Sequence, residues 1–298
     1  MKPAPFAYAR PDSLAAACEL LRRHGDNARI LAGGQTLIAT LNMRLSTPDL
    51  LIDIAAVPGL DGISVRGRAL RIGARTSHRT IEQSPEVAQL VPLLAQAAPQ
   101  IGHVAIRNSG TIGGSLAFAD PAAEWPACAI ALDATIVATS VAGERSIPAR
   151  AFFRALYDTA LAPDEIIVAV EFPILGPGYR STFLELARRH GDYAIVGTAV
   201  VARLARDTLS DVRLAFIGAG PTPMLARSAM AALEGKSAVH TDTAAAEAAL
   251  AQDLAPIGDL YSSPATKMHL ARVLLRRAVA AITAPGATAA HAVPAASP

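Results

Sequence analysis

Arg107-Asn108-Ser109-Gly110-Thr111-Ile112-Gly113-Gly114-Ser115, leading into Asp120-Pro121-Ala122-Ala123-Glu124, sets three glycines within five residues and flanks them with hydroxyl side chains. Glycine brings no Cβ, so backbone amides there can turn inward as a concave nest of the kind that holds a pyrophosphate. Residues 102–120 read as one polar, glycine-rich connection, and structureless connections of that length are usually functional. Residues 107–115 are the second of two corners; earlier in the chain a first corner, Ala32-Gly33-Gly34-Gln35-Thr36, follows the apolar run 28–32 and opens an amphipathic stretch that continues to Leu45. Its amides stand where a bound anion is favoured. Taken singly, the first corner also reads as a tight strand-to-helix turn and the second as an irregular surface loop. One pyrophosphate gripped from both accounts for the two together and points to a dinucleotide ligand.

Outward from these corners the pattern is mixed α and β. Residues 14–23 read as a helix capped by Asp12 or Ser13 and ended by Gly25, followed by buried strands at 28–32 and 50–54 joined through a helix. That arrangement is a small parallel unit. Beyond Pro58-Gly59 come a hairpin (62–65 with 69–72), one helix over 85–98, a helix over 121–131, and strands at 135–139 and 166–172. Pro173 and Gly176-Pro177-Gly178 mark the main boundary. After it, three antiparallel strands (182–187, 199–204, 212–217) precede helices at 225–233, 241–253 and 264–282, the last announced by Ser263-Pro264. The division is therefore 1–176, with parts 1–57 and 58–176, then 177–283, then an Ala/Pro-rich tail 284–298 expected to be disordered.

Composition excludes several classes. With 298 residues, 52% hydrophobic and a formal charge of +2, the chain buries its own core and is not disordered. Near-neutral charge and 13 aromatic residues argue against nucleic acid as a partner. The pI near 8.7 reflects arginine, since only Lys2, Lys236 and Lys267 are lysines and no basic block exists. Cys18 and Cys128 are too few for an iron–sulfur cluster or a cysteine-rich zinc site, and they fit a reducing cytoplasm. No signal peptide or transmembrane segment is visible, and the positive mean hydropathy is spread over dispersed aliphatic residues.

Other motifs fall away. A Rossmann turn needs Gly-x-Gly-x-x-Gly between strand and helix, which neither corner supplies. Gly218-Ala219-Gly220-Pro221 begins suitably, but Pro221 and Pro223 replace the amide-rich turn. The seven histidines, His78 and His190 among them, are scattered without metal-ligand spacing. No Gly-x-Ser-x-Gly elbow supports a hydrolase.

Ala32 to Thr36, Thr111 to Ser115, Ala119-Asp120-Pro121-Ala122 and Arg189-His190-Gly191-Asp192-Tyr193, in this order, resemble the FAD-binding medium subunit of molybdenum hydroxylases. That family includes carbon monoxide dehydrogenase and xanthine dehydrogenase-like members, and the resemblance spans about residues 1–283. It implies an α+β fold: a two-part FAD-binding domain of the vanillyl-alcohol-oxidase/PCMH type, then a C-terminal α/β domain with a three-stranded antiparallel sheet. By the same resemblance, the backbones of Ala32, Gly33, Gly34, Gln35, Thr36 and Leu37 and of Thr111, Ile112, Gly113, Gly114 and Ser115 hold the FAD pyrophosphate. Asp120 accepts from sugar or ribityl hydroxyls. Leu161 packs on the flavin, and Tyr193 covers one face of its ring, as a planar aromatic does by offset stacking. No catalytic acid or base and no metal ligand are expected on this chain.

The resemblance further implies molybdopterin and [2Fe-2S] clusters on partner subunits, a large and a small one, in a dimer of heterotrimers. It places the complex in the cytoplasm, with room for peripheral attachment at the inner membrane. Electrons would pass through FAD here to an external acceptor. Xanthine dehydrogenase-like members often carry a lysine near the flavin where this chain has Leu184-Glu185-Leu186, which weakens transfer of their NAD+ chemistry. Two alternatives stay open at this point: a self-sufficient PCMH-type flavin oxidase, and a non-catalytic nucleotide-binding assembly module.

Overall fold

The computed structural model of the chain describes residues 2–239 and 241–284. Strands Ala28–Leu31 and Leu50–Asp53 lie in parallel, as two buried runs joined through a helix require. Ala7–Ala9 adds in parallel to the other side of Leu50–Asp53; three mostly exposed residues carry no apolar pattern to announce it. Helix Leu14–His24 packs on this sheet through Ala17, Cys18 and Leu21. Ser13 Oγ accepts from the Ala16 amide, and Gly25, at φ 50°, ends the helix. The helix after the first glycine corner is shorter than its amphipathic pattern, Leu37–Asn42.

A five-stranded antiparallel sheet follows, in the order Ile63–Arg66, Ala69–Gly73, Ile166–Pro173, Thr135–Ser140, Gly143–Pro148. Ile166, Val168 and Ala169 pack against the small parallel unit, while Ile167, Val170 and Phe172 face the helices between the hairpin and Thr135. The edge strand Gly143–Pro148 buries only Ile147, so its sequence offers no alternation to read.

Two expectations are corrected in this region. The single helix over 85–98 is two helices, Pro85–Leu90 and Pro92–Ala97, broken at Val91 with φ −138°. Proline disfavours the helical conformation in the residue before it, and Val91 precedes Pro92. The irregular connection over 102–120 holds two short helices, Val104–Ser109 and Ile112–Phe118. Glycine's poor helix propensity is overridden by a cap, Thr111 Oγ1 accepting from the Gly114 amide at 3.2 Å, and by burial of Ile112 and Leu116.

The C-terminal sheet runs Tyr179–Leu186, Val196–Ala205, Thr208–Ile217, with the two-residue Met224–Leu225 as an unforeseen fourth strand. Helices Arg227–Leu233, Ala244–Asp253 and Pro264–Thr283 cover one face, where Val196, Val200, Leu214 and Phe216 point. Strand period two sends Phe183, Ala199, Val201 and Ala215 to the opposite face, where they join the core of the middle unit. Residues 285–298 of the expected tail, with His240 and His291, lie outside the described residues.

Candidate functional site

The two glycine corners meet backbone to backbone. A Cβ built on Gly33 would overlap Ser109 O and stand 2.9 Å from Gly110 Cα. Gly34, at φ 70°, then turns the chain into helix Leu37–Asn42, a conformation that favours glycine. Among the described residues, the amides of Gly33, Gly34, Gln35, Thr36 and Leu37 donate to no acceptor; the first bond of the new turn is Ile38 N to Gly34 O. Five successive unspent donors beside a bare glycine surface are what an anionic oxygen cluster needs.

The second corner is built differently from the nest its glycines suggest. Ile112 N donates to Thr76 O, Gly113 N to Ala74 O, Gly114 N to Thr111 Oγ1 and Ser115 N to Thr111 O. Its amides are therefore already engaged, and Ile112 is a wholly buried core residue. Two of its glycines serve packing: a Cβ on Gly113 would lie 2.6 Å from Ala74 Cβ, and one on Gly110 2.7 Å from His78 Nε2. Gly114 alone is exposed and faces open space apart from Thr111 Oγ1. The cradle is asymmetric, with donors from the first corner and a Cβ-free wall from the second.

His78 supports that wall from below. It is buried, and its Nδ1 accepts from Trp125 Nε1 at 2.9 Å, which places the proton of the neutral ring on Nε2. Burial, aided by the Arg107 charge, lowers its pKa to about 4. Arg107 is itself buried, donating to Glu82 and to the carbonyls of Ile101 and Gly102. Sequence reading treated His78 as one of several scattered histidines, because its partner lies on a separate helix.

Helix Ile112–Phe118, about 10 Å long, leads from the glycine contact to a second cluster. Ala119, at φ 54°, turns the chain sharply, and Asp120 Oδ1 then accepts from the Ala122 amide at 2.8 Å. Partial burial raises the Asp120 pKa against that bond. Tyr193 and Tyr157 stand near enough that Asp120 adds to the rise that partial desolvation causes in both phenols. Tyr193 is 67% exposed, a ring face open to a planar partner. Leu161 is half-buried, packed on the core just after the ribbon of Phe153–Ala155 and Asp158–Thr159.

Tyr157 and Phe118 were not foreseen. Their rings tilt together at 5.1 Å, and Tyr157 holds φ 55°, a costly conformation for an aromatic residue in an exposed turn. A tyrosine four residues before Leu161 was the available signal. The acidic residues behind this cluster were also missed as a group. Glu124 opens the fully buried helix Glu124–Ala131, and burial, with the neighbouring charge of Glu185 and then Asp120, pushes its pKa up to about 8. Burial raises Glu185 to about 7.

The site thus offers unspent amides at one end and a carboxylate among aromatic rings at the other, which suits a diphosphate joined to a hydroxyl-bearing chain and a planar ring. A family model described as the FAD binding domain in molybdopterin dehydrogenase matches residues 4–175, more than half of the chain. The chain belongs to this family. A second family model, the CO dehydrogenase flavoprotein C-terminal domain, matches residues 181–282. Among curated relatives of this molybdopterin dehydrogenase family, the 6-hydroxypseudooxynicotine dehydrogenase complex subunit alpha of Paenarthrobacter nicotinovorans is 41% identical, over 94% of this chain and 95% of its own. The nicotine 6-hydroxylase medium subunit of the same organism is 39% identical, over 94% and 98%. A solved carbon monoxide dehydrogenase from Hydrogenophaga pseudoflava superposes with TM-score 0.91 at 37% identity, covering 95% of this chain and 98% of that one. Among the described residues no helix is long and apolar enough to cross a membrane.

Proposed function

We propose that this chain is the FAD-carrying medium subunit of a molybdenum hydroxylase, relaying electrons from iron–sulfur clusters on a small subunit to an external acceptor. Substrate oxidation belongs to the molybdenum cofactor of a large subunit, and the whole assembles as a dimer of heterotrimers. The observation that carries the reading is the direct backbone contact of Gly33 with Ser109 and Gly110, which closes the row of free amides 33–37 against the bare Gly114 face.

In this reading the amides of Gly33 to Leu37 hold the diphosphate and Gly114 lets it approach. Thr111 and Ser115 flank it, while Ile112 and Gly113 act as scaffold. Asp120 receives hydroxyl donors, Leu161 packs on the ring system, and Tyr193 covers one ring face and excludes water from it. FAD, when bound, accepts electrons singly and delivers them in pairs; the chain supplies placement and electrostatics. The domain division 1–176 and 177–283 is part of the proposal, supported by the absence of strand pairing across Pro173–Tyr179 among the described residues. So is a cytoplasmic location, supported by two free, buried cysteines.

Relatives named for nicotine derivatives make pyridine-type N-heterocycles the first substrates to try, with CO, purines and aldehydes after them. The test is co-expression with the large and small subunits. The purified complex is expected to be yellow, with one FAD on this chain and flavin absorbance that bleaches on adding substrate. A colourless or redox-silent complex favours an assembly module; substrate oxidation by this chain alone favours a self-sufficient oxidase.

A further inference from the structure

Gly218-Ala219-Gly220 starts like a nucleotide-binding corner but leads into the short strand Met224–Leu225, not into a helix. Its place in the fold gives it another task. The ladder between Val196–Ala205 and Thr208–Ile217 ends at the pair Gly197–Ile217, and Gly218, at φ 68°, turns the chain out of it. The Gly218 amide then donates to the carbonyl oxygen of Pro121, the residue directly after Asp120, at 2.8 Å. The other side of Gly218 is flush with the backbone that follows Tyr193: a Cβ there would overlap Ile195 O and stand 3.4 Å from Ala194 O. One glycine thus spans the gap between the Asp120 turn and the Tyr193 segment, touching main chain on both sides.

The Tyr193 segment is anchored at its other end by a second glycine. Ile195 N donates to Leu186 O at 2.8 Å and closes the loop at its base, and Asp192 N donates to Arg189 O at 3.1 Å and folds its tip. Gly191, at φ 88°, lies against His103: a Cβ there would stand 2.5 Å from His103 Cε1 and Nδ1 and 3.2 Å from Gly102 C. His103 heads helix Val104–Ser109, whose last residue touches Gly33 in the cradle. Tyr193 is therefore flanked on both sides by backbone pressed against the N-terminal half, while its ring stays open to solvent. A side chain whose main chain is already fixed has less conformational entropy to lose when a ligand arrives.

We propose that Gly218 and Gly191 are positioning residues for the flavin: packed main chain on main chain, Gly218 sets Tyr193 relative to Asp120, and Gly191 holds the far end of the same segment. The aromatic cover and the hydroxyl-binding carboxylate then meet one bound nucleotide in register. The inference rests on the FAD-subunit reading above and deepens it, because it makes the C-terminal sheet part of the ring site. A side chain at 218 is not relieved by moving Gly218, which the bond to Pro121 O holds. The Ala194–Ile195 backbone yields instead and carries Tyr193 with it.

The test uses the complex co-expressed with its large and small subunits. Gly218→Ala is compared with Gly235→Ala, where φ is also positive at 75° but a Cβ meets nothing within 4 Å, so the pair separates close contact from backbone strain. In Gly218→Ala the flavin fluorescence, which a stacked phenol quenches, is expected to rise, and the flavin potential to shift toward that of Tyr193→Ala; Gly235→Ala should show neither change. In a Tyr193→Ala background, Gly218→Ala is expected to add no further shift, since residues acting through one another are not additive. A Gly218→Ala complex with the fluorescence and potential of Gly235→Ala, or a full further shift without Tyr193, would overturn the proposal. Should Gly218→Ala fail to assemble, Gly191→Ala is read against the same control. Its loop is largely exposed, and Gly102 C forces the loop to lift even when the imidazole turns aside. A Gly191→Ala complex matching Gly235→Ala would then overturn the proposal. A wild-type complex without flavin would instead overturn the FAD-subunit reading, and this inference with it.

Discussion

Gly33→Ala adds one methyl group at the point where the two glycine segments touch. That methyl carbon would overlap Ser109 O and sit 2.9 Å from both Ser109 C and Gly110 Cα, where ordinary contact begins at 3.4 Å. The segments must separate by about half an ångström for the carbons alone, and by more for the oxygen. Neither can yield cheaply, because Gly110 rests on His78 and Gly113 on Ala74. Overpacking of this kind costs about 1–3 kcal/mol, which for a chain of 298 residues lowers Tm by roughly 2–5 °C. Widening the cradle also draws the amides of Gly33 to Leu37 away from the Gly114 face, so flavin retention should fall with Tm. The assay is the flavin-to-protein ratio after gel filtration together with a thermal melt. Gly176→Ala is the control, since a Cβ there meets nothing within 4 Å. A Gly33→Ala protein that melts with the control and keeps its full flavin complement would refute the reasoning.

Gly114→Val is expected to lose FAD and to lower Tm by only a few degrees, because its Cβ would stand 2.9 Å from the capping Thr111 Oγ1, which must turn aside, and meets nothing else within 4 Å; bound FAD at full stoichiometry would count against the cradle. Glu124 binds a proton in the folded chain that it releases when unfolded, so stability should decline as pH rises from about 4.5 to about 8. At about 1.4 kcal/mol per pH unit the loss is at most about 5 kcal/mol. Glu124→Gln should flatten that slope in denaturant titrations, and a wild-type curve already flat over the window would contradict it. Trp125→Phe removes the donor to buried His78 Nδ1 and should cost about 1–3 kcal/mol; an unchanged unfolding midpoint would show that the bond contributes little. Tyr193→Ala should keep FAD but alter its potential and slow turnover, whereas an unchanged potential would remove the stacking role.

Signals confined to a few adjacent residues were readable in advance. Ser263-Pro264 does begin the final helix, Ser13 and Gly25 do bound the first, and the Ala32–Thr36 corner does precede a helix. Chemistry that depends on distant partners was not readable. The glycines of the second corner suggest open amides, yet Thr76 and Ala74, brought up by another segment, consume them. His78 looks ordinary until Trp125 lies beside it, and Glu124 looks like a surface acid until the fold buries the helix it opens. Tyr157 depends on a backbone conformation that side-chain identity alone does not announce. The break at Val91 was within reach, since Pro92 was visible, but the continuous apolar pattern around it concealed the interruption.

The inward face of the last sheet has a consequence for anyone dividing the polypeptide. Phe183, Ala199, Val201 and Ala215 plug a hollow that the middle segment leaves unfilled. Cut near Gly176, each fragment would bare a greasy surface that the other was shaped to hide. A single melting transition is therefore expected for the intact chain, and either piece expressed by itself is expected to clump.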